Sequence, residues 1–534
     1  MQIEFVGGAR TVTGSSYIIT GEHFTVMVDC GMFQGRRVLR ERNSLDLIRA
    51  PESIDALLLT HAHIDHSGLI PKLVKKGFHN SIYATNATVE LCSIMLPDSA
   101  HIQEMDAEWV NKRNKRLGKE PVDPLYTVED AEDTMQYFVP VRYGEMLEVL
   151  PGVQARFRDD GHILGSSFIE LWVDEKGETT KFIFSGDIGS SDQALVRNPE
   201  RPEEADILLI ESTYGNRLHK SKKDTYEEFK NIILDSYNKK GNIVIPSFAI
   251  ERTQEIIYTL GKLFTSGELP RIPVYIDSPL AISATEVFKR HPDCFDRETK
   301  EILLSGNSPL DFPNLNYSRT AEESIRLNKE AKGAIIISAS GMCTAGRIKY
   351  HLQNNLYKPE SSIIFVGYQA EGTLGRRLID GAKKVRLYGE EVKVNAQLYT
   401  LGGFSAHADR DGLLDWMSKL KEAPKHVFVV HGEERASLNL EQLIEERYQY
   451  KTSVPRWGEI VELATMESSF AKYSPEKEVE EPLDGEIDGM MKSMRSLVEK
   501  YQKAKEEKRF DEASALGEGI SDLKEYIEML HDDL

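Results

Sequence analysis

The run His61-Ala62-His63-Ile64-Asp65-His66 gathers three imidazoles and a carboxylate into six consecutive residues. Donors of this kind at this spacing suit metal ions. A loop leaving a buried strand can turn His61 and His63 to one point and Asp65 and His66 to another, which gives ligands for two adjacent ions. With 14 histidines in 534 residues, the pattern H-x-H-x-D-H arises by chance in roughly one such chain in a thousand or two. Two ions need more ligands, and the chain supplies them later. In Asp160-Gly161-His162-Ile163-Leu164-Gly165-Ser166 the histidine has glycines on either side that allow close backbone approach. In Phe184-Ser185-Gly186-Asp187 the carboxylate could bridge both ions, holding them at ~3.5–4 Å, where a shared hydroxide forms near neutral pH. Taken singly, His162 is unremarkable and Asp187 reads as a turn residue; the first motif makes them the expected further ligands.

The elements that position these residues share one pattern, in which a short apolar, β-branched run ends abruptly in a polar residue. Phe24 to Val28 ends in Asp29, Ala56 to Thr60 in His61, Phe182 to Gly186 in Asp187, Ile207 to Ile210 in Glu211, and Val427 to Val430 in His431. Such runs are expected to be buried strands. Ligands in α/β folds gather beyond the carboxyl ends of strands, so these five ends imply one shared site. From about Tyr214 to Asn395 the pattern changes to a longer alternation of strand and helix, with strands at Ile243-Val244-Ile245, Val274-Tyr275-Ile276, Ala334 to Ile337 and Ile363 to Val366. This predicts a second α/β domain with a mainly parallel sheet. Ligand-like strand ends lie both before it and after it, so it is expected to be inserted into the first domain.

Beyond Trp457 the chain turns acidic over Pro475 to Pro482. It then becomes helical in pattern, with Met490, Met494, Leu497, Val498 and Tyr501 at helical spacing and again Leu516, Ile520, Leu523, Tyr526, Ile527 and Leu530. A linker and a helical hairpin are predicted there, read either as a charged appendage packing its stripe on the body or as a surface for a homodimer or another partner. The expected division is therefore 1–213 for the first part of the first domain, 214–398 for the insertion, 399–465 for the second part, and 466–534 for the acidic linker and helical extension.

Composition supports several folded domains: 534 residues, 40% hydrophobic and 28% charged, with no low-complexity stretch or internal repeat. The amino terminus lacks the order of a secretion signal and no apolar run approaches membrane-spanning length, so a cytoplasmic protein without membrane association is expected. Cys30, Cys92, Cys294 and Cys343 are scattered without C-x-x-C spacing, which argues against a disulfide framework or a zinc finger. A net charge of −20 argues against indiscriminate binding of nucleic acid, although it leaves room for a basic groove beside carboxylates neutralised by metal.

Taken in order, Asp29, the run His61 to His66, His162 and Asp187 resemble the signature of the metallo-β-lactamase superfamily. Ile210-Glu211-Ser212-Thr213-Tyr214-Gly215, Gly403-Phe404-Ser405-Ala406-His407 and Val430-His431-Gly432-Glu433 resemble the three additional motifs of its β-CASP nucleases. Those enzymes carry an inserted domain where this sequence changes pattern. The resemblance covers about residues 1 to 460 and is similar in kind to the endonuclease subunit of the mRNA 3′-processing complex and its bacterial and archaeal relatives. It implies an αββα sandwich with an inserted α/β domain, and a centre of two divalent ions, zinc foremost, with manganese and iron also suited to these donors.

Carried over by position, the resemblance puts His61, His63 and His162 on one metal and Asp65, His66 and His431 on the other, with Asp187 bridging. Asp29, read alone a turn aspartate, would accept a hydrogen bond from a ligand imidazole and fix its tautomer. Glu211 and His407 would pair as an oriented general acid, and Asp65 could take a proton from the hydroxide. In the insertion, Ser338 to Met342 and Phe248 to Arg252 sit where strands pass into helices. Backbone N–H groups there, with Arg252, Ser340, Gly341 and, outside the insertion, Ser405, would receive phosphates, and Arg347, Lys349, Arg376 and Arg377 could add positive potential. The other histidines read as structural or solvated, with His219 and His351 the exceptions to watch because they neighbour the substrate loops.

The implied activity is a metal-dependent ribonuclease in which a two-metal-activated hydroxide leaves 5′-phosphate and 3′-hydroxyl ends. DNA-acting relatives typically carry valine where this chain has His431, which favours RNA over a DNA nuclease of the same subfamily. A small-ester hydrolase would leave Glu211, His407 and the insertion without a role. A non-catalytic RNA-binding scaffold is the remaining alternative, and it conflicts with a complete set of metal positions.

Overall fold

Alternation of side chains along strands sets the layering. The computed structural model describes residues 1–45, 49–191, 193–370, 372–471, 495–496 and 498–505. In it Val26 and Val28 face one core and Met27 the other, as do Ala56 and Leu58 against Leu57. These strands, Thr25–Val28 and Ala56–Leu58, belong to an eight-stranded sheet whose other members include Gln2–Gly7, Ser16–Thr20, Ile82–Thr85 and Phe138–Val141. A seven-stranded sheet is ordered Thr452–Ser453, His426–Val430, Ile207–Glu211, Glu178–Phe184, Ser167–Glu175, Val153–Asp159, Met146–Leu150.

The two sheets pack face to face. Ile3, Phe5, Val28 and Leu58 of the first interleave with Phe157, Leu171, Phe184, Leu209 and Phe428 of the second in one buried cluster. On the outer face of the second sheet, Leu208, Ile210, Val427 and Val429 meet Leu413, Trp416 and Met417 of helix Arg410–Met417 and Leu440 and Ile444 of helix Glu434–Tyr448. On the outer face of the first, Met27, Leu57 and Ile82 meet Ile70, Leu73, Leu91 and Met95 from helices Ile70–Lys75 and Asn86–Leu117. Helix, sheet, sheet, helix is the αββα order.

Register brings the chemistry-bearing strand ends to one rim. Val28 pairs with Leu58 in parallel, so Asp29 and His61 leave the first sheet on the same side. In the second sheet Phe184 pairs with Leu209 and Glu211 with Val430, also in parallel, so Asp187, Glu211 and His431 emerge together.

A six-stranded sheet, ordered Leu315–Tyr317, Val274–Ile276, Ile335–Ser338, Ile243–Pro246, Ser362–Phe365, Gln397–Thr400, is parallel throughout. Its last strand ends at Thr400, two residues beyond the expected end of the insertion at 398, because Ile363 and Ile364 pair with Leu398 and Tyr399. An antiparallel ribbon, Lys384–Leu387 with Glu390–Lys393, turns through Tyr388 and Gly389, both at positive φ.

The longest helix, Asn86–Leu117, starts with the Thr85 hydroxyl accepting from the Thr88 N–H and ends at Gly118 in the left-handed region. Its buried residues stop at Ala100; Met105 is 57% and Trp109 66% exposed. The four cysteines are buried free thiols. No helix among the described residues is long and apolar enough to cross a membrane. The hairpin predicted for the extension lies largely outside the described residues; of that segment, 495–496 and 498–505 are helical.

Candidate metal centre and acid pair

Two groups of donors meet at the rim. The strand Ala56–Leu58 runs out into His61 and His63, and His63 stands at the head of the short helix Ile64–Ser67, which carries Asp65 and His66. His61 Nε2 lies 3.1 Å and His162 Nε2 3.3 Å from His63 Nδ1. Both Nε2 atoms lie 3.5 Å from Asp187 Oδ2. In the second group His66 Nε2 is 3.2 Å from His431 Nε2, which is 3.6 Å from Asp65 Oδ2. Asp187 turns its other oxygen to this side, with Oδ1 3.3 Å from His66 Nε2 and 3.2 Å from His431 Nδ1. One carboxylate thus faces both groups.

The donor set fits divalent cations. Imidazole nitrogens at 3.1–3.3 Å from one another can share at most one proton per pair, so lone pairs converge on a common space, and a cation satisfies them together. His61, His66, His162, Asp187 and His431 are buried, while His63 and Asp65 are half-buried and mark the side open to substrate. Burial holds His61 and His162 well below the usual histidine range and brings His63 down to about 4, which keeps these rings in the neutral form that metal binding requires. Burial opposes the charged form of His66 too, but Asp187 and Asp29 outweigh it and raise this ring well above its ordinary value. Burial likewise opposes ionisation of Asp187, and His431, His66 and His407 overcome it and keep the carboxylate charged.

Asp29 sits in a left-handed turn at φ 59° just past its strand. Its Oδ1 accepts from the Thr60 N–H at 2.8 Å and its Oδ2 from His66 Nδ1 at 2.7 Å, which leaves His66 Nε2 facing the centre. The Thr60 hydroxyl donates to Asp29 and lies 3.1 Å from His61 Nδ1. Thr60 therefore touches the outer side of the His61 ring, a contact that sequence reasoning missed. Thr213 is a second such residue, its hydroxyl 3.1 Å from His431 Nδ1.

His407 reaches the rim because the segment after Asp187 pairs with it: Ser190 N–H donates to Ala406 O, Ala408 N–H to Ile188 O, and Gly189 bridges His407. Its Nδ1 donates to Glu211 Oε1 at 3.2 Å, and its Nε2 lies 4.0 Å from Asp187 Oδ2. Glu211 is held by the N–H groups of Ile188 and Thr213. Burial works against a charged His407, yet Glu211 and Asp187 raise it to about 9. Glu211 also lies close enough to Asp187 and His431 to count among the donors. His219 Nε2, 3.1 Å from His407 O, packs on the Tyr214 ring.

The substrate-loop residues are placed differently. Ser340 and Gly341 follow strand Ile335–Ser338, and Gly341 rests on the Phe248 ring so closely that an added Cβ would lie 2.7 Å from it. The Ser340 hydroxyl accepts from the Thr344 and Ala345 N–H groups at 3.1 and 3.3 Å. Arg252 differs from expectation: it is buried and its guanidinium is ion-paired with Glu255 one turn along the same helix, rather than displayed for phosphate. Arg347 binds Asp277 at 2.7 Å, and His351 binds the other oxygen of that carboxylate at 2.6 Å, within the inserted sheet. Arg376 pairs with Asp380. Ser405 is buried in the loop leading to His407.

A sandwich of two sheets with His and Asp donors at a shared rim defines a metallo-hydrolase. Residues 9–138 match the family model of the metallo-beta-lactamase superfamily, 253–378 that of the Beta-Casp domain, and 391–455 that of the Zn-dependent metallo-hydrolase RNA specificity domain. The chain is 37% identical over 460 residues to Ribonuclease TTHA0252 of Thermus thermophilus, covering 86% of this chain and 99% of that protein. It is 28% identical over 469 residues to Transcription termination factor FttA of Methanocaldococcus jannaschii and 25% over 470 to that of Methanosarcina mazei, in each case 85% of this chain and 70% of the relative. The chain belongs to the β-CASP family of the metallo-β-lactamase superfamily.

Proposed function

We propose that this chain is a metal-dependent ribonuclease that hydrolyses RNA phosphodiesters in line, leaving 5′-phosphate and 3′-hydroxyl ends. The observation that carries the reading is Asp187, whose two oxygens face two separate imidazole groups while His407 stands within 4.0 Å of the same carboxylate. Two ions per chain, zinc foremost with manganese or iron as substitutes, would be held by His61, His63 and His162 on one side and Asp65, His66 and His431 on the other, with Asp187 between. Bound there, such ions supply Lewis-acid polarisation of the phosphodiester and a hydroxide near neutral pH.

The chain's own residues do the rest. Asp29 accepts the Nδ1 proton of His66 and so presents Nε2 to the centre. Glu211 orients His407 through Nδ1, leaving its Nε2–H for the departing 3′ oxygen, and the raised affinity of His407 for its proton keeps the acid loaded at neutral pH. Asp65, half-buried on the open side, would take a proton from the attacking water. Backbone N–H groups around Ser340 and Gly341, with Ser405, position phosphates without reading bases. Arg252 joins them only by exchanging Glu255 for a phosphate.

The domain division reads as 1–213 and 399–465 around an insertion, with 466–534 as an appendage for a second copy or another partner, and a cytoplasmic setting suits RNA processing. The test is metal analysis of the purified chain with cleavage of a 5′-labelled RNA and the matched DNA. Two metals per chain with RNA cleaved in preference is the expected result. Preferential cleavage of DNA, or RNA binding without cleavage by the metal-loaded chain, would overturn it in favour of a DNA nuclease or a scaffold.

A further inference from the structure

Between strand Ile243–Pro246 and helix Arg252–Thr265 the chain passes through Glu251 at φ 65°, ψ −61°. The Arg252 N–H donates to Ile250 O at 2.9 Å across it. This is a γ-turn of the rare, strained hand, which a residue with a Cβ enters at a cost. Glu251 is also 2% exposed, and the guanidinium of its neighbour Arg252 is committed to Glu255. Its side chain does not cap the helix it precedes. Strain and burial of a carboxylate are thus tolerated at one residue, and the side chain shows what they hold in place.

The carboxylate crosses to the loop that carries His162. Oε2 accepts from the Leu164 N–H at 3.1 Å, and Oε1 accepts from Gln193 Nε2 at 3.3 Å. Gln193 Nε2 also donates to the carbonyl of His162 at 3.0 Å, and Gln193 is 3% exposed. The backbone of His162 is therefore gripped on its carbonyl side and two residues further on by one pair of side chains. Three residues before Glu251, in the loop closed by the Thr253 N–H donating to Phe248 O, lies the Phe248 ring on which Gly341 rests.

We propose that Glu251 and Gln193 are positioning residues that strap the His162 loop to the first turn of helix Arg252–Thr265, holding the metal-ligating imidazole in register with the phosphate-binding loops. RNA seated on those loops would then steady the His162 side of the centre, and the centre would steady the loops. The inference rests on the reading of His162 as a metal ligand.

The test uses the full chain in four variants, Glu251→Gly, Glu251→Gln, Gln193→Ala and His162→Ala. For each, zinc per chain is measured across a chelator series, with the thermal midpoint of the metal-stripped protein and kcat and KM on a short labelled RNA. Glycine removes the strap and relieves the turn. Glu251→Gly should therefore match or exceed the wild-type thermal midpoint when stripped, yet lose half its zinc at about tenfold less chelator and show kcat down about tenfold with KM little changed. Glu251→Gln keeps an acceptor for Leu164 and should stay within about threefold of wild type on both counts. Gln193→Ala leaves the turn intact and should fall several-fold in zinc retention, so the inference remains testable if the glycine variant misfolds. Wild-type zinc retention and kcat in both Glu251→Gly and Gln193→Ala would overturn the strap. Wild-type zinc content in His162→Ala would instead overturn the ligand assignment beneath it.

Discussion

At the rim of the sandwich the polar side chains point at one another with lone pairs unspent: His61, His63 and His162 on one side of Asp187, His66 and His431 on the other. In the loops of the inserted sheet the polar side chains are already engaged, Arg252 with Glu255, Ser340 with its own loop, and Arg347 with Asp277. The first region depends on side-chain identity, because each donor contributes an atom nothing else replaces. The second offers mainly backbone N–H groups, and its side chains hold the loop in shape. Substitutions in the two regions should therefore fail in different ways.

The largest effect belongs to Asp187→Ala, which removes a carboxylate facing both groups. No turnover should be detectable, and metal analysis should show at least one ion lost per chain; near wild-type cleavage at limiting metal would erase the distinction between the regions.

His407→Ala should retain both ions and lose roughly a hundredfold to ten-thousandfold in rate, since an acid makes no bond to metal. A sulfur at the leaving 3′ position departs without a proton and should rescue much of that loss. Glu211→Gln should weaken the same step, and the double variant should be little worse than His407→Ala alone. Loss of metal, or no rescue by sulfur, would move His407 into the ligand set.

In the loops, Gly341→Ala should cost about tenfold in KM, because its new Cβ meets the Phe248 ring at 2.7 Å and displaces the backbone donors. Ser340→Ala, which leaves those donors in place, should stay within about threefold. A serine effect larger than the glycine effect would mean that the hydroxyl, not the backbone, contacts substrate.

The smallest effect is one of pH on stability. Burial, with the charge of Glu255 adding to it, raises Glu251 from its ordinary 4.5 to about 8. For a raised group, the stability it contributes is fully present below 4.5 and is lost as pH climbs through 8. Glu251→Gln carries no such titration, so its thermal midpoint should gain on wild type by about a degree or two between pH 5 and pH 8.5. Parallel pH profiles would show that this carboxyl is hydrated in the folded chain.

The cluster of candidate donors was legible because few residue types can hold a metal and His61 to His66 crowds them together, with the abrupt strand ends supplying the shared rim. The residues behind them were not. Thr60, Gln193 and Glu251 are common types whose contacts are made across 31 to 87 residues of chain, and no local pattern marks them. Nothing in the identity of Glu251 announces a left-handed turn, as glycine or asparagine there would have done. Arg252 was different: Glu255 at the i+3 position was a visible partner, and that spacing could have predicted the ion pair. The ribbon through Tyr388 and Gly389 likewise had a readable hairpin signal in its X-Gly turn between alternating strands. Strand Gln397–Thr400, which runs two residues past the expected end of the insertion, is too short to announce itself.

Helix Asn86–Leu117 runs on through Pro97, which breaks one rung of its hydrogen bonding, and its support is uneven along its length. Up to Ala100 it is locked into the core. From His101 to Leu117, about 25 Å of helix at 1.5 Å per residue, no side chain is buried. Asn111 and Asn114 tie its tip to the returning chain, through Val122 and Glu120, and nearer the body Glu104 accepts from the Val128 N–H at 3.0 Å. A helix of this length without tertiary packing is marginal in water. Its amides should therefore fall into two kinetic populations along one helix: a proximal set exchanging hydrogen with solvent only through large-scale opening, and a distal set exchanging through local fraying. The boundary near residue 100 is also where limited proteolysis should stop working inward from the tip, leaving the catalytic rim intact.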